Sequence, residues 1–377
     1  MRVACLQENL AKGLAMVSRA VATRSALPVL ANILLRTAGG ELTLSATDLE
    51  LAIGYRVGAK VDEDGAITVP ARLLAGFVTS LPPERIDLAV DVRTKSLNLR
   101  CAQYETSIKG IDAVEFPLLP AAAPDDPVIA LAPELWREMI EQVTLAAAAD
   151  ESRPVLTGAL LRLEGHTLIL AASDGFRLSV RSAELPREMG NVQEVVVPAR
   201  ALQEVGRACQ EEPNEPVAMS ISAQRSQIFF RAGKISLVSQ LLEGSFPDYS
   251  RLIPTGYVTR ATLDTAQFRD AVRLALFFAR DSANIVRLRL IPAGAGPRGQ
   301  VQVAASSAEA GSHVGQLAAA VEGDEMSIAF NARYLLEALN VIHAEQVTLE
   351  ATAPTRPGLL RPAGDPTFLH VIHVIVV

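Results

Sequence analysis

The stretch RPVLTGALLRLEGHTLILAASDGFRLSV, residues 153–180, repeats the pattern of LPVLANILLRTAGGELTLSATDLELAI, residues 27–53. Pro28 and Asp48 lie 20 residues apart, as do Pro154 and Asp174. A weaker third copy, NIVRLRLIPAGAGPRGQVQVAASSAEAG at 284–311, carries Gly and Pro inserted at its turn. Beyond each copy an apolar run meets a tetrad that opens a helical pattern: ITVPARLLAGFVTSLP (67–82), VVVPARALQEVGRACQ (195–210) and IAFNARYLLEALNVIH (328–343). From Val69 to Val197 is 128 residues and from Val197 to Phe330 is 133. A third of the chain is about 126, so these anchors recur at one domain length. VEFPLLP (114–120) and GSFPDYSRLIP (244–254) supply a further pair, and proline clusters at 120–127 and 252–258 mark the seams. Three units follow, at 1–125, 126–254 and 255–377.

Each unit is expected to open with a helix. Leu10, Leu14, Val17 and Val21 recur at helical spacing in the first, Trp136, Ile140 and Val143 in the second, and Phe268, Val272, Leu276 and Ala279 in the third. Leu49, Leu51, Ile53, Tyr55 and Val57 alternate with less apolar residues, which predicts a half-exposed strand. Val217, Met219 and Ile221 alternate likewise, as do Val347, Leu349 and Ala351. Gly39-Gly40 and Glu164-Gly165-His166 occupy hairpin positions. The tetrad begins a second helix, with its proline in the first turn, where a missing N–H leaves nothing unpaired. Two helices on antiparallel sheet make an α+β layer arrangement, three times over.

Composition sets limits. The chain has 377 residues, 49% of them apolar and 20% charged, with a net charge of −7. That balance gives no global nucleic-acid footprint, so any basic surface is local. Cys5, Cys101 and Cys209 are too scattered for a disulfide framework or a zinc site, which points to a reducing cytoplasm. No signal peptide pattern opens the sequence, and no run approaches the roughly 18 apolar residues of a membrane helix.

With RSALPVLANILL, TDLE, VPAR, ESRPVLTG, SDGFRLSV and FPDY in this order, the chain closely resembles the beta subunit of bacterial DNA polymerase III. The likeness covers nearly the whole sequence and rests most on SDGFRL with FPDY. It implies DNA-clamp domains in a head-to-tail homodimer, a ring of pseudo-sixfold symmetry around double-stranded DNA. It further implies docking of the replicative polymerase subunit, the clamp loader ATPase, and other polymerases and repair proteins that carry short clamp-binding peptides. No cofactor, metal, membrane or catalytic role is implied.

The resemblance also implies sites. Arg24, Arg72, Arg153, Arg200 and Arg251 match positions that face DNA or its approach, and Arg72 and Arg200 stand at one place in successive tetrads. A partner-peptide cleft is expected at Leu156, Ser173, Gly175, Phe176, Arg177, Leu178, Pro247, Leu252, Val371 and His373. Phe176 stands where relatives often have histidine, and His373-Val374 stand where a Met-Pro pair is usual. Both departures bear on the cleft's shape and peptide preference. Thr106, Ile108, Phe277 and Phe278 match the dimer interface.

Two rival classes compete with this reading. An enzyme would need its paired carboxylates in one site, yet Asp48 and Asp174 fall in different units, where a turn role is the simpler reading. His370 and His373 would point to opposite faces of one strand, and no Walker loop, nucleophile elbow or dinucleotide fingerprint occurs. The other rival is a DNA-binding regulatory paralogue of the clamp without a replication duty.

Overall fold

A computed structural model describes residues 1–24, 26–123, 126–150, 152–294, 299–309 and 311–376. The expected domain limit at 125 and part of the inserted third-copy turn, 295–298, lie outside the described residues. Six α-helices occur among them, two per repeat: α1 (Gln7–Val17), α2 (Ala71–Thr79), α3 (Pro133–Thr144), α4 (Ala199–Glu211), α5 (Thr265–Ala279) and α6 (Ala332–Asn340). None is long and apolar enough to cross a membrane.

The chain divides into two compact units, Met1–Trp136 with Glu204–Leu241, and Arg137–Gln203 with Leu242–Val377. Sheets that run from one repeat into the next explain why this division departs from the repeats. In the first unit an eight-stranded sheet takes strands from two repeats, joined where Ile235–Gln240 pairs antiparallel with Leu51–Val57. In the second unit a ten-stranded sheet is joined in the same way, where Arg177–Pro198 pairs with Phe368–Ile372.

These joints change the expected strand at 49–57. The strand begins at Leu51, and residues on both of its faces are buried, because it sits mid-sheet rather than at a solvated surface. A Cβ on Gly54 would lie 2.6 Å from Ser236 Oγ on the paired strand. The absence of a side chain there permits the close approach.

A short strand precedes the opening helix in every repeat: Arg2–Leu6, Ile129–Leu131 and Thr259–Asp264. The helix faces follow the periodicity. Leu10, Leu14, Val17, Trp136, Val143, Phe268 and Val272 are fully buried, each stabilising by roughly 2 kcal/mol. Val21 lies past the end of α1 and is half-buried. Trp136 meets Phe230 edge-on at 5.6 Å.

The tetrad proline is not in the first helical turn. Pro70 ends a strand and is the N-cap of α2, and Pro198 ends the strand before α4. In the third copy Asn331 holds that place, and its side chain accepts from the Arg333 N–H at 3.0 Å. Gly39 and Gly40, with φ of 60° and 85°, make the expected tight turn. Gly165 (φ 53°) falls inside the strand Gly158–Ser173, where the ladder changes register.

Candidate partner cleft and DNA-facing arginines

The SDG turn is built by local hydrogen bonds, and the first repeat builds it the same way. Asp174 Oδ1 accepts from the N–H groups of Phe176 and Arg177 at 2.8 and 3.0 Å, and Ser173 Oγ donates to the Arg177 carbonyl at 2.7 Å. Asp48 Oδ1 accepts from Glu50 and Leu51 at 3.1 and 2.8 Å, and Thr47 Oγ1 donates to the Leu51 carbonyl at 3.0 Å. In the third copy Ser307 Oγ accepts from the Glu309 N–H. The repeated aspartate therefore performs turn chemistry. The turn requires positive φ at its third position, 91° at Gly175 and 79° at Leu49.

All ten cleft residues lie in the second unit. Leu178 and Val371 are partners across the joint strands and share an apolar cluster with Leu160, Ala171, Val180 and Leu359. Phe246, Tyr249 and Ile253 pack on that cluster from the segment that bears Pro247 and Leu252. The His373 N–H donates to the Phe176 carbonyl at 2.9 Å, which ties the chain's end to the turn. Leu156 is buried in the 3-10 turn Pro154–Thr157. Leu156, Ser173, Arg177, Leu178 and Val371 form buried ground, while Gly175, Phe176, Pro247 and Leu252 are exposed. Phe176, 60% exposed, supplies an apolar rim.

Beneath the turn lies a buried polar row that the sequence did not announce. Arg177 bonds Asp174 at 3.1 Å, pairs with Glu337, and lies 4.2 Å over the Tyr334 ring. Arg181 bonds Asp365 at 2.7 Å and lies 3.5 Å from Glu138. Between them His370 Nδ1 meets Ser179 Oγ at 2.7 Å, and both residues are fully buried. Burial, then the charge of Arg177, push the His370 pKa down to about 3, so the ring is neutral. Tyr334 and Glu337 thus fix the cleft strand from α6, with Glu337 lying 160 positions from Arg177.

The five candidate DNA arginines are all exposed. Arg72, Arg200 and Arg333 each follow the first residue of α2, α4 or α6. A cation there opposes the helix dipole by a few tenths of a kcal/mol. A local rule broken at one place in three repeats points to a use for the charge. Arg24 lies in the loop after α1. Arg153 and Arg251 are on connecting segments beside the cleft. Arg153 Nη2 donates to the Asp174 carbonyl at 3.1 Å, and Arg251 pairs with Asp248 at 3.0 Å.

The interface candidates differ in how far their side chains are exposed. Thr106 and Ile108 lie on Tyr104–Lys109, an edge strand of a five-stranded sheet in the first unit. Ile108 is only 4% exposed, so its side chain serves its own core and only its backbone is free for a partner strand. Phe278 is half-buried and stacks on His313 at 5.6 Å, whereas Phe277 is 59% exposed under Arg280. Phe277 is the more exposed of the two phenylalanines.

No group of three metal-ligating residues occurs among the described residues. All three cysteines are buried, and burial, with Asp87 nearby, raises the Cys5 pKa to about 12.

Repeated helix–sheet units joined through shared sheets, with an apolar cluster beside the SDG turn and exposed helix-start arginines, define a scaffold of the DNA-clamp class. Residues 1–120, 130–248 and 250–375 match the N-terminal, central and C-terminal domains of the DNA polymerase III beta subunit. The chain belongs to that family. It is 29% identical to the beta sliding clamp of Staphylococcus epidermidis over 363 residues, 94% of this chain and 93% of that one. The Bacillus subtilis DNA polymerase sliding clamp superposes with a TM-score of 0.93 at 27% identity, covering 100% and 99% of the chains. The DNA polymerase III subunit beta of Pseudomonas aeruginosa gives 0.91 at 28%, with both chains covered in full.

Proposed function

We propose that the protein is a sliding clamp, the processivity factor of a replicative DNA polymerase. The observation that carries this is the presence of all three family domains, in order, across the chain. In this reading the clamp domains are 1–125, 126–254 and 255–377, and two copies close a ring around duplex DNA. With six helices among the described residues of each copy, twelve would line the hole.

Encirclement suits this composition. A ring holds DNA by topology, so it needs only weak, sequence-independent phosphate contacts, and tight readout would hinder sliding. Exposed arginines at equivalent helix starts supply such contacts, while a net charge of −7 disfavours DNA elsewhere on the surface. Ring closure would use sheet edges. Tyr104–Lys109 is one, and Gly311–Ala319, paired on one side to Gly299–Ser307, offers another. Pairing across copies would satisfy their open backbone groups.

The cleft around Leu178 and Val371 would take short apolar-anchored peptides from the polymerase, the clamp loader ATPase and repair proteins. A structure of the Pseudomonas aeruginosa beta subunit bound to griselimycin shows that relative holding a ligand. The exposed Phe176 makes a less polar rim than histidine would. The work would be cytoplasmic.

The test is topological. The protein is loaded on nicked circular DNA, which is then linearised. Retention on the circle and loss after cutting is expected. Equal retention on linear and circular DNA would instead identify a DNA-binding regulator.

A further inference from the structure

The joint beneath the cleft has a counterpart in the first unit. There Ala52 pairs with Val238, as Leu178 pairs with Val371 in the second unit. The spacing that relates Asp48 to Asp174 also relates Thr43, Ser45, Ala52 and Gly54 to Ile169, Ala171, Leu178 and Val180. The latter four belong to, or pack on, the apolar cluster of the cleft. The former four, with Leu119 and Val238, line a cavity of about 450 Å³. Thr43, Ala52 and Gly54 are smaller than their counterparts, so less side-chain volume stands at these three places in the first unit.

The rest of the lining sets the ligand. Phe229 and Val238 bring apolar side chains on the face of the sheet that carries Thr43, Ser45, Ala52 and Gly54, and Ser45, Ser220 and Ser236 bring hydroxyls. Arg231 is exposed at the cavity and has no ion pair among the described residues. Val114 and Leu118, on the segment leading into Leu119, are 91% and 93% exposed. The cavity's size falls in the range of roughly 300–1,000 Å³ typical of ligand sites.

We propose that this cavity is a second docking site, taking a linear acidic peptide whose tyrosine enters it while a neighbouring carboxylate meets Arg231. The choice of a peptide rests on the reading of the equivalent cleft given under Proposed function. The anchor differs: open space and hydroxyls suit an aromatic ring with a polar tip, where the cleft offers a purely apolar floor.

Phe229 gives a direct readout. Full-length protein labelled with ¹³C at its phenylalanine rings is titrated with the blocked peptide acetyl-Glu-Tyr-Leu-amide. A saturable shift of the Phe229 ring is expected. Arg231→Glu, an exposed change, should weaken that response at least about tenfold. Ala52→Leu, which installs the second repeat's residue, should abolish it. Absence of a saturable Phe229 shift overturns the site, and so does a response unchanged in both variants. Leu178→Ala separates the two readings. Binding that is silent at Phe229 and lost in Leu178→Ala belongs to the cleft alone. A Phe229 response without any such binding would instead count against the cleft.

Discussion

His370 gives the second unit a pH dependence. Its ring is fully buried against Ser179, between Arg177 and Arg181 on the paired strand, and its pKa lies near 3. An unfolded histidine titrates near about 6.5. Below that pH the unfolded chain binds a proton that the folded chain refuses, so stability is complete above it and falls as pH drops from 6.5 towards 3. At pH 5 the loss relative to pH 7 is about 2 kcal/mol. Urea unfolding at the two pH values measures it, and His370→Gln should remove most of the difference. An undiminished difference in the variant would assign the effect elsewhere. At this scale the sequence was legible only where chemistry is local. The Asp48 and Asp174 turns could be read because their bonds reach two or three residues. The Arg177–Glu337 pair could not, since it joins distant segments brought together only by folding.

Helices and strand edges carry assembly. Leu274 and Phe277 are 51% and 59% exposed along α5, while Phe268, Val272 and Ala275 face its core. An aromatic left largely exposed beside Arg280 suits an interface anchor. Phe277→Asp should convert dimer to monomer in light scattering at micromolar concentration, with an unchanged far-UV spectrum. Persistence of the dimer would leave closure to the strand edges alone. Phe278→Asp is the poorer test, because it would also disturb the packing against His313. Helical periodicity marked Phe268, Val272, Leu276 and Ala279 as the apolar side of α5 but did not choose between the adjacent phenylalanines that the resemblance singled out, since a pattern of spacing does not report which of two neighbours the sheet covers. The same limit misplaced the tetrad proline: a Pro-Ala step reads equally as a first turn or as the strand end before it.

For the whole molecule, topology and charge predict different outcomes. Replacing Arg72 and Arg200 together with alanine should lower the salt slope for short linear duplexes by about one unit per arginine. Retention on closed circles should change by less than about twofold, because encirclement does not depend on those contacts. Loss of retention on circles would mean that the arginines, and not the ring, hold the DNA. Three tandem units, the helix faces, the SDG turn and the family were all written in the sequence by itself, because periodicity, turn chemistry and repeat spacing are short-range properties of a chain. The tertiary structure alone decided that the second repeat divides its strands between two compact bodies, that Ile108 turns inward, and that a cavity opens beside the joint of the first unit. Those outcomes depend on which strands pair across repeats and on how much side-chain volume meets at each joint, quantities that exist only once residues far apart in sequence are packed together.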